Sequence, residues 1–210
     1  LLAKYIKGLS PDATLYLGWV PTVGEDENFP QDRKGNPLGA VKFTIRAEKC
    51  PNRRGIEEVL KHCQGEVLGF DQLLANAGKL KAAYVTAGYS PRLGPWLTEA
   101  ESKLLASVPL LLVQDLSLSA ICQSARFVIP AATFAEKDGC YVNVANLAQE
   151  LHRAVSPGTM GRSDGQAFAS LLQRRGLMRA STVRQELAAE IPFFAKLADG
   201  HLGQHGVRLG

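Results

Sequence analysis

Between residues 81 and 130 short apolar runs alternate with amphipathic stretches, and this rhythm restricts the possible folds more than any other feature of the chain. Residues 109–114 (PLLLVQ) are apolar up to the last position, as in a central strand buried on both faces of a parallel sheet. Residues 81–87 (KAAYVTA), closed by Gly88, and 126–129 (RFVI), stopped by Pro130, have the same character. The intervals read as helices. One covers 95–107, with Pro95 at its start and Trp96, Leu97, Leu104 and Leu105 along one side; the other covers 118–125. Strand, helix, strand, helix, strand in elements this short predicts an α/β fold: a Rossmann-like parallel sheet with helices on both faces and right-handed crossovers.

Upstream, residues 55–64 form an amphipathic helix entered through Pro51 and Asn52, and 70–76 a short helix ending at Gly78. Residues 20–39 are rich in Pro, Gly and charge. They read as a long surface loop between strands at 13–19 (ATLYLGW) and 41–46 (VKFTIR). After Asn143 the pattern changes to helices at 163–175 and 182–198. Leu171 and Leu172 anchor the first, and Leu187, Ile191 and Phe194 the second, which Pro192 is expected to kink. The expected division is an α/β domain over 1–150 and a helical C-terminal extension over 151–210. The opening LLAKYIKG already has helical spacing at Leu2, Tyr5, Ile6 and Leu9, so the chain is expected to be a fragment of a longer one.

The net charge of +4 and the lack of a Lys/Arg run give no reason to invoke nucleic acid. Cys50, Cys63, Cys122 and Cys140 form no CxxC pair, and a core-rich chain needs no disulfide framework; the reducing cytoplasm follows. The longest apolar run, 108–113, is far short of a membrane span, so no direct membrane insertion is expected. No GxxxxGK[ST], GxGxxG, GxSxG or HExxH motif occurs, which argues against a self-contained kinase, dehydrogenase, hydrolase or zinc protease. His62 and Cys63 are adjacent on a helix and point about 100° apart, a poor chelate. No metal site and no catalytic residue is assigned. Arg174, Arg175, Arg179 and Arg184, with Glu150, His152 and Arg153, read as a solvated face before an anion site.

Residues 113–149 carry the most information. One strand ends at Gln114 and Asp115, with Ser117 and Ser119 opening the next helix. The next strand ends at Pro130, and its loop carries Thr133, Glu136, Lys137, Asp138 and Gly139. Ligands of open α/β sheets bind at this carboxyl edge. The run resembles the block of molybdopterin oxidoreductases in which a strand, a short helix, a strand ending in Ile-Pro or Leu-Pro and a Glu-x-x-Gly loop followed by Asn occur in order. The matching residues are Gln114, Asp115, Ala125, Ile129, Pro130, Glu136, Gly139 and Asn143. PAATFAEKDG, the earlier TIRAEKCPNRRGIEEVL and KAAYVTAGYSP are similar in particular to the large iron–sulfur subunit of NADH:quinone oxidoreductase (respiratory complex I, an NADH dehydrogenase).

That resemblance implies a cofactor-free scaffold domain of such a subunit, supporting electron transfer from NADH to quinone. Iron–sulfur clusters would be bound upstream, partners would be other subunits of a membrane-associated respiratory complex, and the location cytoplasmic, peripheral on the inner side of the cell membrane. The fragment alone would be inactive. Departures from cofactor-loaded members point the same way: Arg126 after Ala125, Cys140 after Gly139, Asn146 and Leu147 in place of a Gly-Arg pair, and Gly-Tyr-Ser-Pro at Gly88. The alternative implied is the cofactor-binding part of a molybdopterin guanine dinucleotide oxidoreductase, such as a formate dehydrogenase-like enzyme. Gln114, Asp115, Ser117, Glu136 and Asn143 would then face the nucleotide.

Overall fold

Helical spacing at the start of the sequence produces α1 (Leu2–Leu9), which packs on helices formed later in the chain. The computed structural model describes residues 1–86, 96–156 and 162–210. Residues 13–19 form no strand: their backbone makes an isolated bridge from Tyr16 to Leu68, and Leu15 exchanges two hydrogen bonds with the side chain of Gln64. The expected loop at 20–39 instead contains β1 (Glu27–Phe29), which pairs antiparallel with β2 (Phe43–Ile45). Cross-strand side chains account for the pairing. Phe29 and Phe43 stack with centroids 5.0 Å apart, and Thr44 Oγ1 donates to Asn28 Oδ1 at 2.7 Å.

The helix α2 (Arg53–Gln64) carries ion pairs between Arg53 and Glu57 and between Arg54 and Glu58, and stops at Gly65, whose φ is +82°. The next helix, α3 (Phe70–Asn76), runs into a short 3-10 turn at Ala77–Lys79. Then comes β3 (Ala82–Thr86). The helix α4 (Glu99–Ala106) begins at Thr98, which forms a capping box with Glu101. The expected start of this helix at Pro95, like Ala87 and the Gly88 loop, lies outside the described residues. The apolar run becomes β4 (Leu110–Asp115), followed by α5 (Ala120–Ser124) and β5 (Phe127–Pro130).

The three strands form a parallel sheet in the order β3-β4-β5, with Val85, Val113 and Val128 in register. Side-chain alternation gives β4 two faces. Leu111 and Val113 pack against Phe70, Leu105 and Ile121 from α3, α4 and α5. Leu112 and Gln114 point the other way, toward a helix that comes later in the sequence. The expected α/β architecture, a parallel sheet with helices on both faces, is therefore present.

Beyond a 3-10 turn at Phe134–Glu136 lies a hairpin that the residue pattern does not announce: β6 (Gly139–Val142) and β7 (Leu147–Leu151). Asn143 Oδ1 accepts from the N–H groups of Ala145 and Leu147, and Asn146 takes a φ of +59°, so the two asparagines build the turn. The expected helix at 163–175 is shorter, α6 (Asp164–Leu171), capped by Ser163. The last α-helix, α7 (Ala180–Glu190), is not kinked at Pro192. It ends before it, because proline cannot donate to the preceding turn, and Pro192 opens a 3-10 helix, Pro192–Leu197. The C-terminal stretch closes with β8 (Val207–Arg208), which adds to β7. Val142, Ala148, Ile191, Phe194 and Leu197 form a second core there. No helix among the described residues is long and apolar enough to cross a membrane.

Two substitutions test these cores. Leu105 is fully buried, so Leu105→Ala should lower the unfolding free energy by about 2–5 kcal/mol. The urea midpoint should fall at unchanged slope. Gly206 has φ +76°, and an added Cβ would lie 2.3 Å from the carbonyl oxygen of Ala148. Gly206→Ala should therefore detach β8, seen as faster amide exchange at Leu147 and Ala148 than in the parallel sheet.

Candidate functional site

The carboxyl ends of β3 and β4 open on a cleft of about 540 Å³. Thr86 and Gln114 come from the strand ends, Ala131 from the loop after β5, Lys137 from the segment entering β6 and Cys140 from β6 itself. Asp164 and Phe168 come from α6, while Ile56, Val59, Leu187 and Phe194 supply apolar walls. The volume is in the range of about 300–1,000 Å³ typical of small-ligand sites, and a few convergent polar groups among apolar walls is their usual composition.

The polar groups form one connected row. Gln114 is 1% exposed, so its carboxamide requires partners. Tyr84 Oη donates to Gln114 Oε1 at 3.2 Å, and Gln114 Nε2 donates to Asp164 Oδ1 at 3.0 Å. The Ala132 N–H donates to the same oxygen at 3.3 Å, and Lys137 Nζ donates to Asp164 Oδ2. The side chains of Lys137 and Asp164 are each 22% exposed, which leaves the ion pair within reach of solvent. Burial, and then the Asp164 charge, push the Tyr84 phenol from 10.0 up to about 12, so it remains a donor at any physiological pH. Phe168 meets the Tyr84 ring edge-on at 6.3 Å and fixes α6 over the strand ends.

Of the five sequence-derived site residues, only Gln114 lines this cleft. Asp115 is buried on the opposite face of β4. It accepts from Trp96 Nε1 at 3.1 Å, from the N–H of Leu116 at 2.6 Å, and from Ser119 Oγ at 2.5 Å. Ser117 joins the same turn through its backbone N–H to Asp115 and its carbonyl to Cys122 Sγ. Glu136 caps the 3-10 turn by accepting from the Thr133 N–H at 2.8 Å, and Asn143 builds the hairpin turn. Sequence reasoning does not reach Tyr84, Lys137 and Asp164 as site residues. Lys137 lies in the loop it singles out, but Asp164 reads in sequence only as a first-turn residue of a helix.

The basic group does not form the single solvated face expected of it. Arg184 is 6% exposed and donates to Glu150 and to the Gly200 carbonyl, because α7 packs against β6 of the hairpin. Arg174 makes a bidentate pair with Glu186 at 2.7 and 2.8 Å, which holds the Glu186 carboxyl below its usual range. Arg175 and Arg179 remain exposed. Among the described residues no three His, Cys, Asp or Glu side chains converge as a metal site would require.

Comparison with known proteins places the candidate site in a recognised block. The family model described as molybdopterin oxidoreductase matches residues 65–174, which include β3 to β7, Lys137 and Asp164. Among curated proteins the chain is 29% identical over 146 residues to the F420-dependent formate dehydrogenase 1 subunit alpha of Methanococcus maripaludis, covering 67% of this chain and 22% of that protein. It is 30% identical over 110 residues to the F420-dependent formate dehydrogenase subunit alpha of Methanocaldococcus jannaschii, covering 52% of this chain and 16% of that protein. It is also 29% identical over 181 residues to the NADPH-Fe(3+) oxidoreductase subunit alpha of Geobacter sulfurreducens, covering 80% of this chain and 21% of that protein. The chain thus spans about a fifth of the length of the relatives it matches.

The Tyr84 hydrogen bond has a measurable consequence. Tyr84→Phe leaves Gln114 Oε1 without its donor and should cost about 1–3 kcal/mol at neutral pH, read from urea unfolding. Because the folded pKa of about 12 lies above the unfolded one, the contribution is complete below about pH 10 and is lost as pH rises to about 12. The stability gap between wild type and variant should narrow across that window.

Proposed function

The chain belongs to the molybdopterin oxidoreductase family, and we propose that it is the cofactor-binding part of a formate dehydrogenase-like oxidoreductase that takes a molybdopterin guanine dinucleotide. The observation that carries this reading is the cleft at the carboxyl edge of the parallel sheet, with an amide, an ammonium and a carboxylate converging in it. That donor set fits the cofactor. Gln114 and Asp164 match the polar edge of a heterocycle, and Lys137 adds a positive charge beside them. When bound, the pterin-held molybdenum or tungsten supplies the electron-accepting chemistry.

The protein's own residues do the holding. Tyr84 keeps the Gln114 carboxamide in one orientation, Asp164 is held by Gln114 and Ala132, and Phe168, Leu187 and Phe194 exclude water from one side. The departures at 143–147 fall in the turn of the β6–β7 hairpin and leave Gln114, Lys137 and Asp164 in place, while Cys140 itself lines the cleft. They therefore weigh less against a cofactor than their sequence positions imply. The names of the relatives favour this reading over one based on respiratory complex I. Two of the relatives are alpha subunits of formate dehydrogenases, so partner subunits of a redox complex in the cytoplasm belong to the same proposal.

A second reading keeps the domain as a cofactor-free scaffold of an NADH:quinone oxidoreductase, bearing subunit contacts beside iron–sulfur clusters held elsewhere, peripheral to the inner side of the cell membrane. The hydrogen bonds that Gln114, Asp164 and Lys137 make to one another, which hold the row together from the chain's own residues, favour it.

One analysis separates the two. The protein expressed from its complete reading frame, purified without chelator, should contain about one molybdenum or tungsten per chain and release guanine nucleotide on acid treatment. Elemental analysis showing neither metal, with no nucleotide released, would establish the scaffold reading instead.

A further inference from the structure

Asp164 is an anion gripped by donors from three different places in the fold. One Nε2 proton of Gln114, at the end of β4, goes to Oδ1 at 3.0 Å, and the Ala132 N–H beyond β5 donates to the same oxygen at 3.3 Å. Lys137 Nζ, from the segment entering β6, donates to Oδ2. An ammonium, a side-chain amide and a backbone N–H converging on one carboxylate form the donor set of an oxyanion pocket. The oxyanion that fills it belongs to the chain itself and is carried in on α6.

The helix α6 is lightly anchored. Ala169 is its one fully buried residue, and Phe168 meets Tyr84 edge-on. Gln166 bonds away from the sheet, accepting from the Met178 N–H at 2.8 Å and donating to the Gly176 carbonyl at 3.3 Å, which ties α6 to the segment that follows it. Lys137 and Asp164 are each 22% exposed, which leaves the ammonium open to a dissolved anion. A tethered carboxylate competes with such an anion at an effective concentration of about millimolar or more. The apparent affinity of the free anion falls with the fraction of molecules in which Asp164 has left the pocket.

We propose that α6 is an autoinhibitory plug: the Asp164 carboxylate occupies an oxyanion pocket made by Lys137, Gln114 and Ala132, and a dissolved oxyanion enters only when α6 swings out. The inference rests on reading the cleft as a ligand site and is independent of which group fills the rest of it. Gln114 is 1% exposed with Asp164 against it, so release of α6 is also what would uncover its amide. Tyr84 holds the other end of that amide and keeps the pocket's donor in place while the plug moves.

The probe is inorganic phosphate, titrated into protein made in a host that cannot synthesise the pterin cofactor, at an ionic strength held constant with sodium chloride. By calorimetry Asp164→Ala should bind phosphate at least about tenfold more tightly than wild type, because its pocket is vacant. Adding Lys137→Met to that variant should return the affinity to the wild-type level or below. In wild type, rising phosphate should speed amide exchange in α6 while leaving α7 and the β3–β5 sheet unchanged. This last arm needs no variant, so a poorly folded Asp164→Ala protein would not spare the proposal. Equal phosphate affinity in wild type and Asp164→Ala, tight binding that survives loss of Lys137, or exchange in α6 that ignores phosphate each overturns it. Metal and nucleotide content are read separately. The expected phosphate responses in a protein that carries neither would sink the cofactor reading alone, and a metal-loaded protein whose cofactor-free form ignores phosphate would sink the plug alone.

Discussion

A buried carboxamide organises this molecule. Gln114 ends the central strand with almost no exposure, and an unpaired amide at such a place costs about 1–3 kcal/mol. Its two ends therefore demand two partners in place. Tyr84 supplies the donor from β3, and Asp164 supplies the acceptor from α6, fifty residues further along the sequence. Asp164 in turn needs a counter-charge and finds it in Lys137. A single polar position thus ties two strands, the loop beyond β5 and a C-terminal helix to one edge of the sheet. That edge is where the fold exposes its strand ends.

The opposite face of β4 uses its polar residue differently. Asp115 is enclosed by an indole N–H, backbone N–H groups and a hydroxyl, and it closes the turn into α5. It has little left to offer a ligand. Adjacent residues on one strand so take separate tasks, one structural and one lining the cleft, because a strand sends successive side chains to opposite faces. The β6–β7 hairpin and the segment that packs on it form their own apolar core, tied by the Arg184–Glu150 ion pair. Removing either charge there would leave the other buried and unpaired, the costly half of any buried salt bridge.

Family and geometry meet at the cleft. The family match runs from residue 65 to 174 and so includes every polar residue of the row, from Tyr84 to Asp164. The aligned parts cover about a fifth of the relatives' own length. The local chemistry nevertheless follows from the described residues. They bring an ammonium, a carboxylate and a carboxamide together at the edge of one cleft.

Much of the fold was legible in the residues. The run PLLLVQ has the character of a central strand, the helix Phe70–Asn76 was expected with its end near Gly78, and Ser117 and Ser119 marked the start of the helix after that strand. The failures have local causes. The hairpin at Gly139–Leu151 was hidden because asparagine pairs make its turn without the glycine that usually marks one. Residues 13–19 look extended, yet they find no ladder partner beyond one bridge. Site residues were harder still. Asp115, Glu136 and Asn143 are polar residues near strand ends, and nothing in their spacing says that turns consume them. By itself the sequence determined the alternation of strands and helices, the apolar face of each, and the edge of the sheet at which the polar loops gather, since these depend on periodicity within a few residues. Only the tertiary structure decided which polar groups meet at that edge, because Tyr84, Gln114, Lys137 and Asp164 become neighbours through burial of one amide, not through proximity along the backbone.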